Sequence, residues 1–144
     1  MPGLGMIETR RFTDAASFLD THTADFLRTI YDAVLQVERP ITQKAPDQKI
    51  LLTLLTYCYA RRIYSAAEIE SRTYNDPVVR YICARHYPTA AQIRNFRRDH
   101  KELVTQALTL ALAALSNQPA SKSNRDALSR VHIAIRLDTF DLDD

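Results

Sequence analysis

The sequence predicts an all-α fold: a single domain, residues 1–144, of several helices packed around a central apolar helix, with a helix-turn-helix-like segment. Three observations predict it. The two glycines, Gly3 and Gly5, both lie in the first five positions, so hairpins and other turns that need a positive φ are poorly supplied. Apolar residues recur every three to four positions over most of the chain, which is the helical period. Three helix-start signals follow one another between Ser65 and Gln92, and closely spaced starts make short helices meeting at large angles. A chain of 144 residues can bury a core without disulfide or metal staples.

The first segment carries Phe12, Phe18, Leu19, Phe26, Ile30, Val34 and Val37 at helical spacing. Thr13 and Thr23 are plausible caps, giving a short helix and then a longer one that Pro40 ends. "PDQKILLTLLTYCYARRIY" opens with Pro46 at a tolerated first-turn position. It is apolar on nearly every side, so it is the helix around which the others pack. Arg61 and Arg62 fall in its last turn, where cations suit the helix dipole. Ser65 with Glu68 reads as a capping box opening a short helix to about Tyr74, and Asp76 with Pro77 opens the next. Thr89 with Gln92 starts a long helix predicted to run to about Ser116. The loop "SNQPASKSN" precedes a final helix capped by Ser123 with Asp126, although "VHIAIRL" is also compatible with a strand. The terminal residues 138–144 read as an acidic tail.

Charge is unevenly distributed. The formal net charge is +2, but residues 49–101 hold ten Lys/Arg against four acids, a local excess of +6. A basic middle between acidic ends suits a polyanionic partner. With Ala90 at zero on a helical wheel, Ile93, Phe96, Leu103, Val104 and Ala107 gather at about 220–320°. Arg94, Arg97, Arg98 and Lys101 share an arc from about 340° to 80°. Like charges at these spacings repel unless acids or an anionic partner intervene. The helix N-terminus, with Thr89 and Gln92, offers free N–H groups suited to a phosphate.

Other chemistry is poorly supplied. A chain without glycine after Gly5 has no phosphate-cradling Gly-rich loop. The four histidines show no metal-ligand spacing, no serine sits in a nucleophile elbow, and no catalytic, cofactor or metal residue is assigned. Cys58 and Cys83 sit in apolar surroundings and read as reduced, buried thiols. No signal-peptide pattern is present, and no apolar run approaches the ~18 residues of a membrane span. The expectation is a cytoplasmic protein without a membrane partner.

The block "ILLTLLTYCYARRIYSAAEIESRTYNDPVVRYICARHYPTAAQIRNFRRDH", within residues 46–104, resembles the N-terminal domain of bacterial insertion-sequence transposases of the DDE class. The shared pattern is an apolar helix, a Ser/Glu-bearing short helix, an aromatic-bearing short helix, and a proline followed at fixed distance by Phe96-Arg97-Arg98. The resemblance implies a helix-turn-helix-like module that recognises the ends of an insertion element as double-stranded DNA. By the same resemblance Arg94, Arg97, Arg98 and Lys101 take phosphates or base edges, with Thr89, Gln92, Arg61 and Arg62 beside them. The family's catalytic domain needs three carboxylates holding two metals, and the chain does not contain it. The final "IAIRLDTFDLDD" faintly resembles the strand that bears the first carboxylate, with Asp138 in that place; a solvated acidic tail is the alternative. Cutting would therefore fall to a catalytic transposase subunit in trans. The competing reading is a helical interaction or homodimerisation module whose interface is the first helix and "LVTQALTLALAAL".

Overall fold

The computed structural model describes residues 21–37 and 46–143. Among them are seven helices and no strand: α1 (Thr21–Gln36), α2 (Pro46–Ala60), α3 (Ala66–Asn75), α4 (Pro77–Cys83), α5 (Ala90–Asp99), α6 (Lys101–Ser116) and α7 (Ala120–Asp143). The all-α expectation is met. Phe12, Thr13, Phe18, Leu19 and Pro40 lie outside the described residues.

α2 is the hub. Every residue from Leu52 to Tyr59 is buried, and α1, α4, α5 and α6 all pack on it. Its two internal threonines are accommodated because Thr53 Oγ1 donates to Lys49 O at 2.8 Å and Thr56 Oγ1 to Leu52 O at 2.7 Å. α1 buries Leu27, Ile30, Ala33 and Val34, a three-to-four spacing that forms one stripe. α6 and α7 form an antiparallel αα-hairpin through a short connector, with Asn117 in the left-handed region at φ 56° ending α6. The α7 stripe runs Ser123, Ala127, Arg130, Val131, Ala134 and Asp138, all buried.

The helix starts between Ser65 and Gln92 follow side-chain chemistry. Ser65 Oγ accepts from Glu68 N–H at 3.3 Å, while the Glu68 carboxylate turns to Arg72 at 2.9 Å. Asp76 Oδ1 accepts from the Val78 and Val79 N–H groups at 2.9 and 3.3 Å, and Pro77 occupies the first turn of α4. α3 packs on both α4 and α5.

The structure corrects several boundaries. α1 begins at Thr21, so Thr23 lies in its first turn. α2 ends at Ala60, and Arg61 and Arg62 form the turn beyond it, Arg62 with φ 65°. The long helix expected from Thr89 to Ser116 is two helices, interrupted at His100 with φ −122° and ψ 37°. His100 N–H still donates to Phe96 O at 2.8 Å, and His100 O accepts from Val104 N–H at 3.0 Å, so the break leaves these groups paired. It lets α5 pack on α3 and α7 while α6 packs on α1, α2 and α7. α7 begins at Ala120, earlier than the expected loop allows. Ser123 therefore lies inside the helix rather than capping it, and its buried hydroxyl has no hydrogen-bond partner. The expected final helix is met, and it continues through Asp143, so the residues expected from 138 onward as an acidic tail are helical.

Candidate nucleic-acid interface

The α5 start is built as the sequence specifies. Thr89 Oγ1 accepts from Gln92 N–H at 3.1 Å and Gln92 Oε1 accepts from Thr89 N–H at 2.9 Å, a complete capping box. Both polar groups are thereby engaged with each other. A third contact was not legible: Glu70 Oε1, from α3, accepts from Ala90 N–H at 2.8 Å. A carboxylate already stands where a phosphate was expected, at the positive end of the helix. The expectation of free N–H groups there is corrected.

Arg97 is the larger correction. It was expected on the outward basic arc, but its side chain is wholly buried. Nε donates to Asp138 Oδ2 at 3.2 Å and Nη2 donates to Asp138 Oδ1. Nη1 reaches Tyr59 Oη at 3.2 Å and Tyr64 O at 2.6 Å. This two-pronged guanidinium–carboxylate pair ties α5 to α7 and to the end of α2. Burial alone would pull the Arg97 pKa down; the hydrogen bond that Arg97 donates to Asp138 and the neighbouring Tyr59 outweigh it, and the net shift is upward. Burial likewise pushes the Tyr59 hydroxyl far above its ordinary value. Asp138 is thus neither a metal-ready carboxylate nor a solvated one, since Arg97 occupies both its oxygens.

The remaining candidates separate by environment. Arg94 is half-buried, and Arg98 and Lys101 are exposed. Arg98 Nη2 donates to Asn95 Oδ1 at 2.6 Å, and its Nε lies 4.0 Å from Asp99 Oδ1. Because the helix breaks at His100, Lys101 leaves the common arc and opens α6. Arg61 donates to Tyr57 Oη at 3.2 Å and stacks over Phe26 and Tyr57 at 5.9 and 5.8 Å, so its charge is partly spent locally. Arg62 is exposed.

Sequence reasoning passed over a second basic group. After α4 the chain turns through Ala84 at φ 50° and Arg85 at φ 75°, two successive non-glycine residues in the left-handed region. Each costs roughly 1–2 kcal/mol relative to ordinary backbone. The turn borders a cleft of about 290 Å³ lined by Arg80, Tyr81, Arg85, His86 and Tyr87, among others. His86 and Tyr87 also line a smaller cleft of about 170 Å³ that reaches Gln92 at the start of α5. Arg80, Arg85 and the neighbouring α5 start thus belong to one continuous surface.

The two cysteines are buried and free. Burial pushes the Cys83 thiol up to about 11 and raises Cys58 as well. Folded values above the ordinary 9.0 mean that the thiols' contribution to stability is full below about pH 9 and is lost as pH rises through the folded values. Unfolding midpoints in urea are therefore expected to fall above about pH 9. At pH 8 iodoacetamide should label both thiols slowly in buffer and rapidly in urea; equal rates would refute the burial. Among the described residues no three His, Cys, Asp or Glu side chains gather as a metal ion would require, and no helix is long and apolar enough to cross a membrane. No protein-family model, curated protein or solved structure matches this chain.

Proposed function

We propose that this chain is a transposase-related module that binds the ends of an insertion element as duplex DNA and performs no strand cleavage of its own. In this reading α4, the connecting turn and α5 are the helix-turn-helix-like segment. A catalytic subunit acting in trans cuts the strands.

One observation supports it best: three of the four acids of the basic span are consumed internally, and most of its cations are not. Glu68 and Asp76 pair with Arg72, Glu70 caps α5, and Asp99 makes only a distant contact with Arg98. Among the described residues Arg62, Arg94 and Lys101 have no carboxylate partner. Unneutralised surface cations release counterions from a phosphate backbone when they meet it. With the α5 N-terminus capped by Glu70, affinity in this reading rests on side chains rather than on backbone N–H groups.

Fluorescence anisotropy with a labelled duplex of about 20 base pairs, at about 50 and 200 mM salt, tests the proposal. Reversing Arg94, Arg98 and Lys101 to glutamate should weaken binding at least ~10-fold and flatten the salt dependence by roughly one unit of slope per lost phosphate contact. No affinity for any duplex at the lower salt would sink it. In the dimerisation reading, α6 has little left to offer, because Leu103, Val104, Ala107, Leu108, Ala111 and Leu112 are buried within the chain. It would rest on the exposed Leu35, Leu128 and Ile133, and light scattering showing a concentration-independent dimer would favour it.

A further inference from the structure

The cleft beside α4 is made of residues that the duplex-binding proposal does not use. Tyr74, near the end of α3, and Tyr87, past the α4 turn, are 58% and 48% exposed. Their rings nevertheless stack on each other, with centroids 4.9 Å apart and planes 12° from parallel. Two large aromatic side chains held flat against one another, each residue still about half exposed, form a platform at the surface. The cleft lined by Tyr87 also carries the exposed Arg80 and Arg85. Neither guanidinium has a carboxylate, hydroxyl or aromatic partner among the described residues. The two left-handed residues that end α4 set the course of the turn carrying Arg85 and Tyr87, and backbone held in such conformations without glycine concentrates at working sites.

We propose that this cleft binds a nucleotide unit with an accessible base, its phosphate held by Arg80 and Arg85 and its base stacked on the Tyr74–Tyr87 platform. Flat aromatic faces next to cations are how proteins hold unpaired bases irrespective of sequence. A base inside a duplex is covered on both faces by its neighbours, so the site takes a single strand, an extruded base or a free nucleotide. A cleft of about 290 Å³ has room for one such unit, at the low end of ordinary ligand sites. A phosphotyrosine peptide would also present a ring and a phosphate. The nucleotide is favoured because the platform is a stacked pair that continues a base stack, and because Tyr87 also borders the start of α5. The inference does not depend on duplex binding by Arg94, Arg98 and Lys101.

Anisotropy with a labelled oligothymidine of about eight nucleotides tests it, alongside the duplex used above. Tyr87→Ala, and separately the double variant Arg80→Ala/Arg85→Ala, should each weaken the single strand ~10-fold and leave duplex affinity within about 2-fold. Circular dichroism should show unchanged helix content, since all three side chains are exposed. Arg98→Glu/Lys101→Glu should do the reverse, so failure of one site is separable from failure of the other. Displacement of the strand by thymidine monophosphate identifies a free nucleotide as the ligand; displacement only by unlabelled strand identifies single-stranded nucleic acid. The inference is overturned if the wild-type chain has no affinity for the oligothymidine, if Tyr87→Ala binds it unchanged, or if a phosphotyrosine peptide displaces it more effectively than the unlabelled strand does.

Discussion

Replacing Arg97 with alanine should lower stability by about 3–5 kcal/mol, the cost of leaving a buried charge without its partner. Asp138 is 7% exposed and accepts both prongs of the guanidinium, so removal of Arg97 strands a carboxylate in the α5–α7 contact. Tyr64 O also loses its donor. The double variant Arg97→Met/Asp138→Leu should recover most of the loss, because apolar groups of similar volume remove both desolvation costs at once. Recovery should stop short of full, since the Tyr64 carbonyl still lacks a partner. Urea titrations of the wild type, Arg97→Met, Asp138→Leu and the double variant form a complete cycle. A cost below about 1 kcal/mol for Arg97→Ala would show that the pair is not formed.

Arg130→Ala should cost about 2–3 kcal/mol. Arg130 is 7% exposed, and its Nη1 donates to Tyr59 O at 2.9 Å and Ala60 O at 3.2 Å. These carbonyls belong to the last turn of α2, where intrahelical donors run out. Nε and Nη2 meanwhile hold Asp126 at 3.1 and 3.2 Å. One guanidinium therefore closes the end of the central helix and fixes α7 against it. Arg130→Lys should restore less than half of the loss, because a point-like ammonium cannot serve both carbonyls and Asp126 together. Equal midpoints for Lys and Arg would show that only the charge near the helix end matters.

These two arginines change how charge substitutions must be read. A reversal series that included Arg97 would unfold the chain, whatever the surface does. Arg94, Arg98 and Lys101 can be reversed without touching a buried pair, which is why the test above stops at them.

The sequence by itself determined the fold class, the central place of α2, and the starts of α3, α4 and α5. Those features are local: a cap bonds to a backbone group two or three residues away, and an apolar stripe depends only on helical period. The α7 helix was also expected, although its start and its end were not. The break at His100 was not legible, because the buried faces of α5 and α6 keep the same helical phase through it and only their different neighbours reveal it. The same holds for the basic arc. On one helix Arg97 and Arg98 look equivalent, and nothing within reach of a helical wheel shows that a carboxylate 41 positions onward waits at the inner side. Tertiary structure alone decided that Arg97 is core, that Glu70 closes the α5 N-terminus, and that Tyr74 meets Tyr87. The physical reason is common to all three: a charge or a ring is placed by its partner, and each partner arrives from another helix or from beyond its end.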